Sequence, residues 1–595
     1  MQPKDQGPSP SSFLPPAGTE RPPRRSEEVE NFDVVVIGAG VSGMYALHHL
    51  REMGLSVRVY DGASDVGGTW WYNRYPGARV DGPGSPFYCY TFSDELMKEW
   101  DWAETQSEQS AVLAYLEHVA DRFDLRRDIE FETWVEAVRY DESAQRWTVE
   151  TSTGKRASAQ FLICAVGALS AANLPDFPGI GDFAGETYHT GRWPHEPVSF
   201  AGKRVAVIGT GSSGIQSIPE IAKEAAHLTV LQRTAQFAFP AGNRPLTPEE
   251  TKEARASWGA VKAKMLANPG GFPADTHTRT ALAATPEERE ALYESLWQIG
   301  SFKFLLDSYN DIVVSEEANK TMADFVRRKI REIVRDPGTA DKLMPDHFVM
   351  TKRPILENGY WETFNRDNVT LVDLREDPIE RFTPNSVRTR TGEHPIEMLV
   401  LATGFDAISG SMLRLDPTGR GGVHLKERWK DRFHNYLGLT IAGFPNLFVI
   451  HGPGSPGVFY NMPLGAERQL GWVGDVIRHL RDRSLGAIEA TEDSESAWGN
   501  ETDAIANATL FPRTDSWWTG ANIEGKPRYF SAYLLGTLYY QRLSDVANAG
   551  YEGFVFEPAH SAGSGSASRR SRALDNCLDL GPATRRRSPK TSSPE

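Results

Sequence analysis

The fold is decided by the stretch DVVVIGAGVSGM, residues 33–44, in which a buried-strand pattern runs directly into three glycines spaced as GxGxxG. A helical pattern follows from Met44 to Met53. A second copy, RVAVIGTGSSGI, occupies residues 204–215, and its helix begins near Ile215. Between a strand and a helix, such glycines permit a tight turn, the approach of a pyrophosphate to the backbone, and close helix–strand packing. Each copy therefore predicts the opening of a Rossmann-like unit that binds a dinucleotide.

The rest of the chain fits the same class of fold. Short β-branched runs alternate with helical patterns, which is typical of α/β proteins with parallel sheets. The 595 residues are too many for one hydrophobic core. Between about 248 and 346, long helical stretches such as Pro286–Ile299 and Glu317–Val334 replace the alternation. We therefore predict an α/β fold with two Rossmann-like dinucleotide-binding domains and a helical insertion.

The residues that end the second strand of each unit differ in charge. Asp61 follows the strand 56–60, where a carboxylate can accept hydrogen bonds from a ribose diol, as FAD or NAD requires. Arg233 follows the strand 228–232 at the matching position, where a guanidinium can pair with the 2′-phosphate of NADPH. For either residue alone, a solvated charge at a strand end is the alternative. Together, the opposite charges favour FAD at the first motif and NADPH at the second.

The dinucleotide contacts predicted from the motifs themselves lie in the two turns and beside Arg233. They are Gly38, Gly40 and Gly43 for FAD, and Gly209, Thr210, Gly211, Ser212, Ser213, Gly214 and Thr234 for NADPH.

These patterns also set the predicted domain limits. Residues 31–168 form the first part of the FAD domain, 169–397 the NADPH domain, and 398–556 the second part of the FAD domain. The leader, 1–30, carries seven prolines, and the basic tail, 557–595, is rich in Ser, Gly and Arg. Neither composition buries enough apolar area to offset the entropy of ordering, so both are expected to be disordered.

Charge and cysteine content exclude several classes of function. A net charge of −15 argues against nucleic acid or an anionic membrane as the general partner. Cys89, Cys164 and Cys577 form neither a disulfide framework nor a metal-binding pattern, so we predict no metal and a reducing cytoplasm. Apolar runs such as 161–169 are too short to span a bilayer, and the N-terminus has no signal-peptide core.

A protein with both sites passes hydride from nicotinamide to flavin, which leaves the acceptor of the flavin electrons to be found. Disulfide reduction needs a redox cysteine pair soon after the FAD motif, and the sequence has none there. Oxygen, a quinone or an electron-transfer partner remain as acceptors.

Two longer motifs resemble those of Baeyer-Villiger monooxygenases. Residues 183–194, FAGETYHTGRWP, fit the family fingerprint FxGxxxHxxxWP and lie just before the second glycine-rich turn. Residues 68–81 match GxWxxxxYPGxxxD. The resemblance covers about residues 31–556. It implies a class B flavoprotein monooxygenase that uses FAD, NADPH and O2 to convert a cyclic ketone to an ester or lactone.

The resemblance assigns the chemistry to Arg353 and Asp81. Reduced flavin and O2 form a C4a-peroxide that must stay anionic to attack a carbonyl, so the site needs a fixed cation and must exclude water. Arg353, in TKRP at 351–354, matches the catalytic arginine of the family, and Asp81 matches the carboxylate that orients it. Lys352 matches the residue that joins Arg233 on the 2′-phosphate.

Further positions are carried over from the family. Trp517 resembles a tryptophan near the nicotinamide, with a packed core aromatic as the alternative. The loop 452–461 resembles the substrate loop, which places Gly457, Val458 and Phe459 near the ketone, with an ordinary Gly/Pro turn as the alternative.

His189 and Trp193 are interpreted as a hinge between the domains. The segment from Asp81 to Tyr88 is one residue longer than is usual. The flavin contacts implied are Ser42, Asp61, Thr69, Trp70, Asp81, Tyr88 and Val135.

The substrate is narrowed by LFPR at 510–513 and SWWTGANIEGK at 516–526, which resemble the branch that acts on large cyclic or terpenoid ketones. The narrowest expectation is a sesquiterpenoid ketone of the pentalenolactone pathway, hence antibiotic biosynthesis. An N- or S-hydroxylating flavin monooxygenase and a non-oxygenating flavin/NADPH redox protein are the alternatives. The expected partners are the ketone and O2, and the chain is expected to be a monomer or a weak homo-oligomer.

Overall fold

The computed structural model describes residues 28–82, 84–275 and 278–560. The strands are β1 (Val29–Ile37), β2 (Val57–Tyr60), β3 (Ile129–Glu130), β4 (Val135–Asp141), β5 (Arg146–Thr151), β6 (Arg156–Cys164), β7 (Glu186–His189), β8 (Arg204–Ile208), β9 (His227–Gln232), β10 (Ala238–Pro240), β11 (Ile355–Glu357), β12 (Val369–Asp373), β13 (Ile379–Thr383), β14 (Ser386–Thr389), β15 (Glu393–Pro395), β16 (Met398–Leu401), β17 (Leu447–Val449), β18 (Leu485–Ala490) and β19 (Phe554–Pro558). The helices are α1 (Val41–Glu52), α2 (Thr69–Tyr72), α3 (Asp94–Glu99), α4 (Gln109–Arg122), α5 (Ser212–Glu224), α6 (Pro248–Ala256), α7 (Trp258–Ala267), α8 (Pro286–Ile299), α9 (Lys303–Leu306), α10 (Glu316–Ile333), α11 (Pro337–Lys342), α12 (Tyr360–Thr363), α13 (Gly410–Leu415), α14 (Leu425–Arg428), α15 (Met462–Asp482), α16 (Glu492–Asn507) and α17 (Gly536–Asn548).

The first sheet is built around β1, the strand of the first glycine-rich motif. Its strand order is β3-β2-β1-β6-β5-β4, and β17 also pairs with β6. The pairs that involve β1, β2, β3 and β17 are parallel, whereas β4 pairs antiparallel with β5, and β5 pairs antiparallel with β6. Residues 34–37 of β1 are all buried, because parallel strands covered on both faces need an unbroken apolar run.

The second sheet repeats this arrangement around β8. Its order is β12-β9-β8-β16-β7, and every pair in it is parallel. In both sheets the glycine-rich turn connects the central strand to a helix, α1 or α5, whose next strand pairs beside it. The predicted α/β class with two Rossmann-like domains is confirmed.

The predicted insertion is helical among its described residues, where it holds α6 to α11. The two ends of the insertion pack differently. Trp258 and Met265 of α7 join the core under the first sheet, whereas Tyr293, Trp297 and Phe325 join the core under the second. Among the described residues, no helix is both long and apolar enough to cross a membrane.

Three predicted limits need correction. β1 begins at Val29, inside the predicted leader, and β19 extends to Pro558, inside the predicted tail, because each strand is held by a neighbour. The strand Met398–Leu401 was assigned to the FAD domain, but β16 pairs with β7 and β8 in the second sheet. The second domain therefore extends past residue 397. The predicted disorder of 1–27 and 561–595, together with Cys577, lies outside the described residues.

Candidate active site

A cavity of about 1440 Å³ lies where the carboxyl ends of the strands of both sheets meet. Ile37, Tyr60 and Ala165 line it from the first sheet, and Ile208 and Ala402 line it from the second. In open α/β sheets, ligands bind at the carboxyl ends of the strands. The volume exceeds the usual 300–1,000 Å³ of a ligand pocket, roughly as expected for a site that takes more than one large ligand.

The first motif forms an open helix N-terminus. α1 begins after Gly40, and no side chain caps it, so its first N–H groups stay available to an anion. A Cβ on Gly43 would lie 1.8 Å from the carbonyl oxygen of Gly38, so only glycine allows this helix to lie against its strand. A Cβ on Gly68 would lie 2.8 Å from the Cα of Gly40, so two backbones meet here without side chains.

Asp61 lies beside this turn and is held in one orientation. Its Oδ2 accepts from the Ala39 N–H at 2.6 Å and its Oδ1 from the Ala63 N–H at 2.7 Å. Burial raises the pKa of Asp61, and these two hydrogen bonds oppose that shift. A carboxylate oxygen has more than one lone pair, so each can still accept from a ribose hydroxyl. The geometry fits the predicted contact with the FAD ribose.

The second motif repeats the open helix end and adds positive charge. α5 begins after Gly211 without a side-chain cap, and a Cβ on Gly211 would meet no atom within 4 Å. Arg233 and Lys352 both line the cavity there. Burial lowers the pKa of Lys352, and the neighbouring charge of Arg233 lowers it further. Two cations side by side are the arrangement that a dianionic phosphate stabilises.

Arg353 and Asp81 form an ion pair inside the cavity. Arg353 donates from Nε to Oδ2 at 3.1 Å and from Nη2 to Oδ1 at 2.7 Å, which leaves Nη1 outside the pair. The two side chains are 25% and 21% exposed. Burial by itself lowers the pKa of Arg353, but the charge and hydrogen bonds of Asp81 outweigh it and raise that pKa. The guanidinium is therefore a permanent, oriented cation.

The flavin-side motif also joins the two domains. The Tyr75 hydroxyl donates to Gln216 Oε1 of α5 at 2.8 Å, and Gln216 Nε2 donates to the carbonyl of Arg79 at 3.3 Å. A Cβ on Gly77 would lie 2.2 Å from the carbonyl oxygen of Gln216. The YPG turn thus requires glycine because the NADPH-side helix passes directly over it.

His189 of the fingerprint is buried and neutral. Burial lowers its pKa to about 4. Its Nδ1 accepts from the Gly191 N–H at 3.0 Å, and its Nε2 lies 3.3 Å from the Thr403 hydroxyl. Because Nδ1 accepts, the ring proton lies on Nε2 and points at Thr403. This geometry suits a structural connection and not a general base.

Comparison with known proteins places this site in a family. The family model described as flavin-binding monooxygenase-like matches residues 31–240. A Baeyer-Villiger monooxygenase from Pseudooceanicola batsensis is 43% identical over 533 residues, which cover 88% of this chain and 96% of that protein. The chain belongs to the Baeyer-Villiger monooxygenase family.

Two further comparisons describe the range of this family. The solved structure of an oxidized steroid monooxygenase bound to NADP superimposes with a TM-score of 0.85 at 46% identity, over 89% of this chain and 99% of that one. The phenazine N-monooxygenase PhzNO1 from Lysobacter antibioticus is 43% identical over 533 residues, covering 88% of this chain and 97% of that protein. Family membership therefore fixes the fold but admits more than one acceptor of oxygen.

Trp70, Tyr88 and Trp517, three of the aromatic residues predicted from the Baeyer-Villiger resemblance, line the cavity. Trp70 Nε1 donates to the Tyr88 hydroxyl at 3.2 Å, so Tyr88 lies beside the flavin-side motif although its loop is one residue longer. Trp517 lines the cavity and stacks on the buried Trp518 with ring centroids 3.6 Å apart. The remaining predicted contacts that line the cavity are Gly38, Gly40, Ser42, Asp61, Thr69, Val135, Gly209, Thr210, Gly211, Ser212, Ser213 and Thr234.

The three predicted substrate contacts lie in different surroundings. Val458 lines the cavity, whereas Gly457 and Phe459 do not belong to its lining. The ring of Phe459 stacks on Trp518 at 4.2 Å and packs with Phe511 and Phe530. The ring of Phe459 therefore packs within this aromatic cluster. Gly43 and Gly214 are likewise packing glycines, since a Cβ on Gly214 would lie 2.1 Å from the Gly209 carbonyl oxygen.

Phe272, Gln216 and Arg192 line the cavity but were not predicted from the sequence as site residues. Phe272, in the helical insertion, lines the cavity, and its ring lies 3.8 Å from the Cβ position of Gly82, next to Asp81. It stands in a Gly/Pro-rich loop with no periodic signal. Gln216 reads as an ordinary helix residue, and only the structure brings it to the flavin side. Arg192 stands inside the fingerprint, which marked the segment but not this side chain.

We expect Gly43→Ala to lower both the stability and the FAD content of the protein. The new Cβ would overlap the Gly38 carbonyl, so α1 must move away from β1, at a cost of roughly 1–3 kcal/mol as for other overpacked sites. Thermal unfolding and the flavin absorbance of purified protein measure the two effects. Gly471→Ala, in the middle of α15 with no atom within 4 Å of the added Cβ, is the matched control. It should unfold at or above the wild-type temperature.

Proposed function

We propose that this protein catalyses Baeyer-Villiger oxidation of a cyclic ketone to a lactone with FAD, NADPH and O2. The observation that carries the proposal is the oriented ion pair of Arg353 and Asp81. It lies in the same cavity as two uncapped helix N-termini, each suited to bind the diphosphate of a dinucleotide. In the balanced reaction, ketone, NADPH, H⁺ and O2 give lactone, NADP⁺ and water. The alternative acceptors, a quinone or a protein partner, give Arg353 no comparable role.

The residues of the chain divide the work by position. FAD, when bound and reduced by NADPH, would activate O2, and one oxygen atom of that O2 is inserted into the ketone. Arg353 provides a fixed positive charge where negative charge develops on the carbonyl oxygen, and charge stabilisation of this kind works best when the group is already oriented. Asp81 supplies that orientation by holding two of the guanidinium nitrogens. Burial raises the pKa of Tyr88 to about 12, so its phenol stays protonated beside them.

The NADPH side is explained by charge. Arg233 and Lys352 bind the 2′-phosphate, the first turn of α5 binds the diphosphate, and Trp517 packs near the nicotinamide. Arg233 is exposed at the cavity, where a guanidinium can form paired hydrogen bonds with a phosphate. NADH has no 2′-phosphate, so these two cations neither repel it nor form an ion pair with it. NADPH is therefore the expected reductant.

A large cyclic ketone, of terpenoid size, is the narrower proposal. The 46% identity with a steroid monooxygenase supports it. Apolar side chains, Val458 and Phe272, line the cavity with Arg353, as an uncharged polycyclic ketone requires. The sesquiterpenoid of the pentalenolactone pathway stays a prediction within this class.

The test is a panel of ketones given to the FAD-loaded enzyme with NADPH in air. We expect lactones, identified by mass, with the fastest turnover on bicyclic and larger ketones. NADPH consumption that yields only hydrogen peroxide with every ketone would overturn the assignment.

N-oxidation is the second candidate, because PhzNO1 is as similar in sequence as the Baeyer-Villiger relative. A phenazine added to the same panel separates the two activities. Formation of an N-oxide from phenazine, with no lactone from any ketone, would favour the second candidate.

A further inference from the structure

Arg192 belongs to the fingerprint segment of the second domain, yet its side chain lies at the FAD end of the cavity. It stands in the turn that follows β7, a strand of the second sheet. Its guanidinium carbon is 4.3 Å from the ring centroid of Tyr72, at the end of α2, and 5.7 Å from that of Trp134. Arg192 lines the cavity together with Asp61 and Val135.

The guanidinium of Arg192 has more N–H donors than its described hydrogen bonds use. Nη2 donates to the Ser170 carbonyl at 3.3 Å, a long hydrogen bond. Among the described residues, no carboxylate forms an ion pair with Arg192 within 4 Å. Asp61 is an acidic neighbour of Arg192: burial raises its pKa, while its backbone hydrogen bonds and the charge of Arg192 oppose that shift. A cation with free N–H groups therefore lies beside the carboxylate expected to hold the FAD ribose.

A second arginine adds positive charge at the same place. Arg414, on α13, lines the cavity, and its Nη2 donates to the Ala172 carbonyl at 3.0 Å. Burial lowers the pKa of Arg414, Asp406 opposes that shift, and the like charge of Arg192 adds to it. Two guanidinium groups that repel each other in one cavity are stabilised by an anion bound between them or next to them.

The backbone of the same segment is fixed against α2. The Trp193 N–H donates to the Tyr72 carbonyl at 3.2 Å. The ring of His195 lies 4.3 Å from that of Trp71. The segment that follows Arg192 is therefore fixed against α2, so the position of Arg192 over Tyr72 belongs to this contact and not to a freely moving surface arginine.

We propose that Arg192 is a further FAD-binding residue, which contacts the negatively charged adenosine diphosphate half of the cofactor and so ties the fingerprint segment to the occupied FAD site. The inference rests on the FAD part of the proposed function. The ribose held by Asp61 is bonded directly to the diphosphate, so a guanidinium next to Asp61 lies within reach of that charge. Neither a ketone nor O2 carries a negative charge that would need this cation.

The test compares FAD affinity in three variants of the holoenzyme. Arg192→Met keeps the length and removes the charge, Arg192→Lys keeps the charge without the fork, and Arg139→Met removes an exposed arginine on β4 of the first sheet that pairs with Glu150. Hydrogen bonds to charged groups are worth about 1.5–3 kcal/mol, so Arg192→Met should raise the Kd of FAD by about 10- to 100-fold. Arg192→Lys should fall between, and Arg139→Met should bind FAD as the wild type does.

Thermal unfolding at several FAD concentrations separates a binding contact from a structural one. If Arg192 contacts FAD, excess FAD restores the melting temperature of Arg192→Met, because ligand binding stabilises by mass action. A deficit that persists at every FAD concentration, or an unchanged Kd, would overturn the inference while leaving the proposed function intact. If Arg192→Met does not fold, the Kd of Arg192→Lys decides. Wild-type protein that binds no FAD would instead overturn the proposed function.

Discussion

Arg353→Ala is expected to abolish lactone formation while the protein still binds FAD and oxidises NADPH. The arginine is the oriented cation of the cavity, and removing one such preorganised charge-stabilising group costs on the order of 10²–10³ in kcat. Flavin reduction needs no positive charge at this point, so its rate should change little. Stopped-flow absorbance of the flavin measures the reduction, and product analysis measures the lactone. NADPH oxidation should then yield hydrogen peroxide.

The controls for this prediction address the unpaired carboxylate. Without Arg353, Asp81 is left partly buried and without its partner, which destabilises the fold. The double variant Arg353→Ala, Asp81→Ala removes both charges and should show the same loss of lactone. Arg375→Ala removes an arginine that pairs with Asp346 and Asp373 and is 42% exposed. It should retain full activity, and wild-type lactone formation by Arg353→Ala would contradict the assigned role.

Arg233→Ala is expected to remove the preference for NADPH over NADH. The guanidinium contributes charge-assisted hydrogen bonds to the 2′-phosphate, worth about 1.5–3 kcal/mol, so the KM for NADPH should rise about 10- to 100-fold. NADH lacks the phosphate, so its KM should stay the same. Steady-state kinetics with both cofactors measures the change. Lys352→Ala should act in the same direction.

Arg204→Ala is the matched control. Arg204 lies at the opposite end of β8, is 49% exposed and pairs with Glu397. Its removal should leave both KM values unchanged. Equal increases in the KM for NADPH and for NADH in Arg233→Ala would show that the residue supports the fold of the site and does not recognise the phosphate.

The parts of the fold that could be predicted are those with local signals. Strand, glycine turn and helix follow one another in the chain at 33–44 and 204–215, and the structure forms β1, α1, β8 and α5 there. Pro286–Ile299 was predicted at its observed limits, because Thr285, Pro286 and Glu288 form a complete helix start with a capping box. The limit at 397 was missed because nothing local tells which sheet a buried strand such as 398–401 will join.

Site residues could be predicted where a sequence motif fixes the backbone. They could not be predicted where the packing of distant residues decides the direction of a side chain. Asp81 and Arg353 lie 272 positions apart, and only the family resemblance joined them before the structure did. Phe459 shares a loop with Val458 but turns into an aromatic cluster, a choice made by distant residues such as Trp518. Arg192 and Gln216 carry no periodic or motif signal of their own. Their contacts arise only once the two domains meet.

Incubation of the FAD-loaded enzyme with NADPH, a bicyclic ketone and ¹⁸O2 tests the central claim most directly. One oxygen atom from O2 should enter the lactone ring, so the product mass should rise by about 2 units over the product made in ordinary air, with one NADPH consumed per lactone. The second atom should leave as labelled water, as the monooxygenase stoichiometry requires. A lactone without label, or NADPH consumption with no oxygenated product from any ketone, would contradict the account.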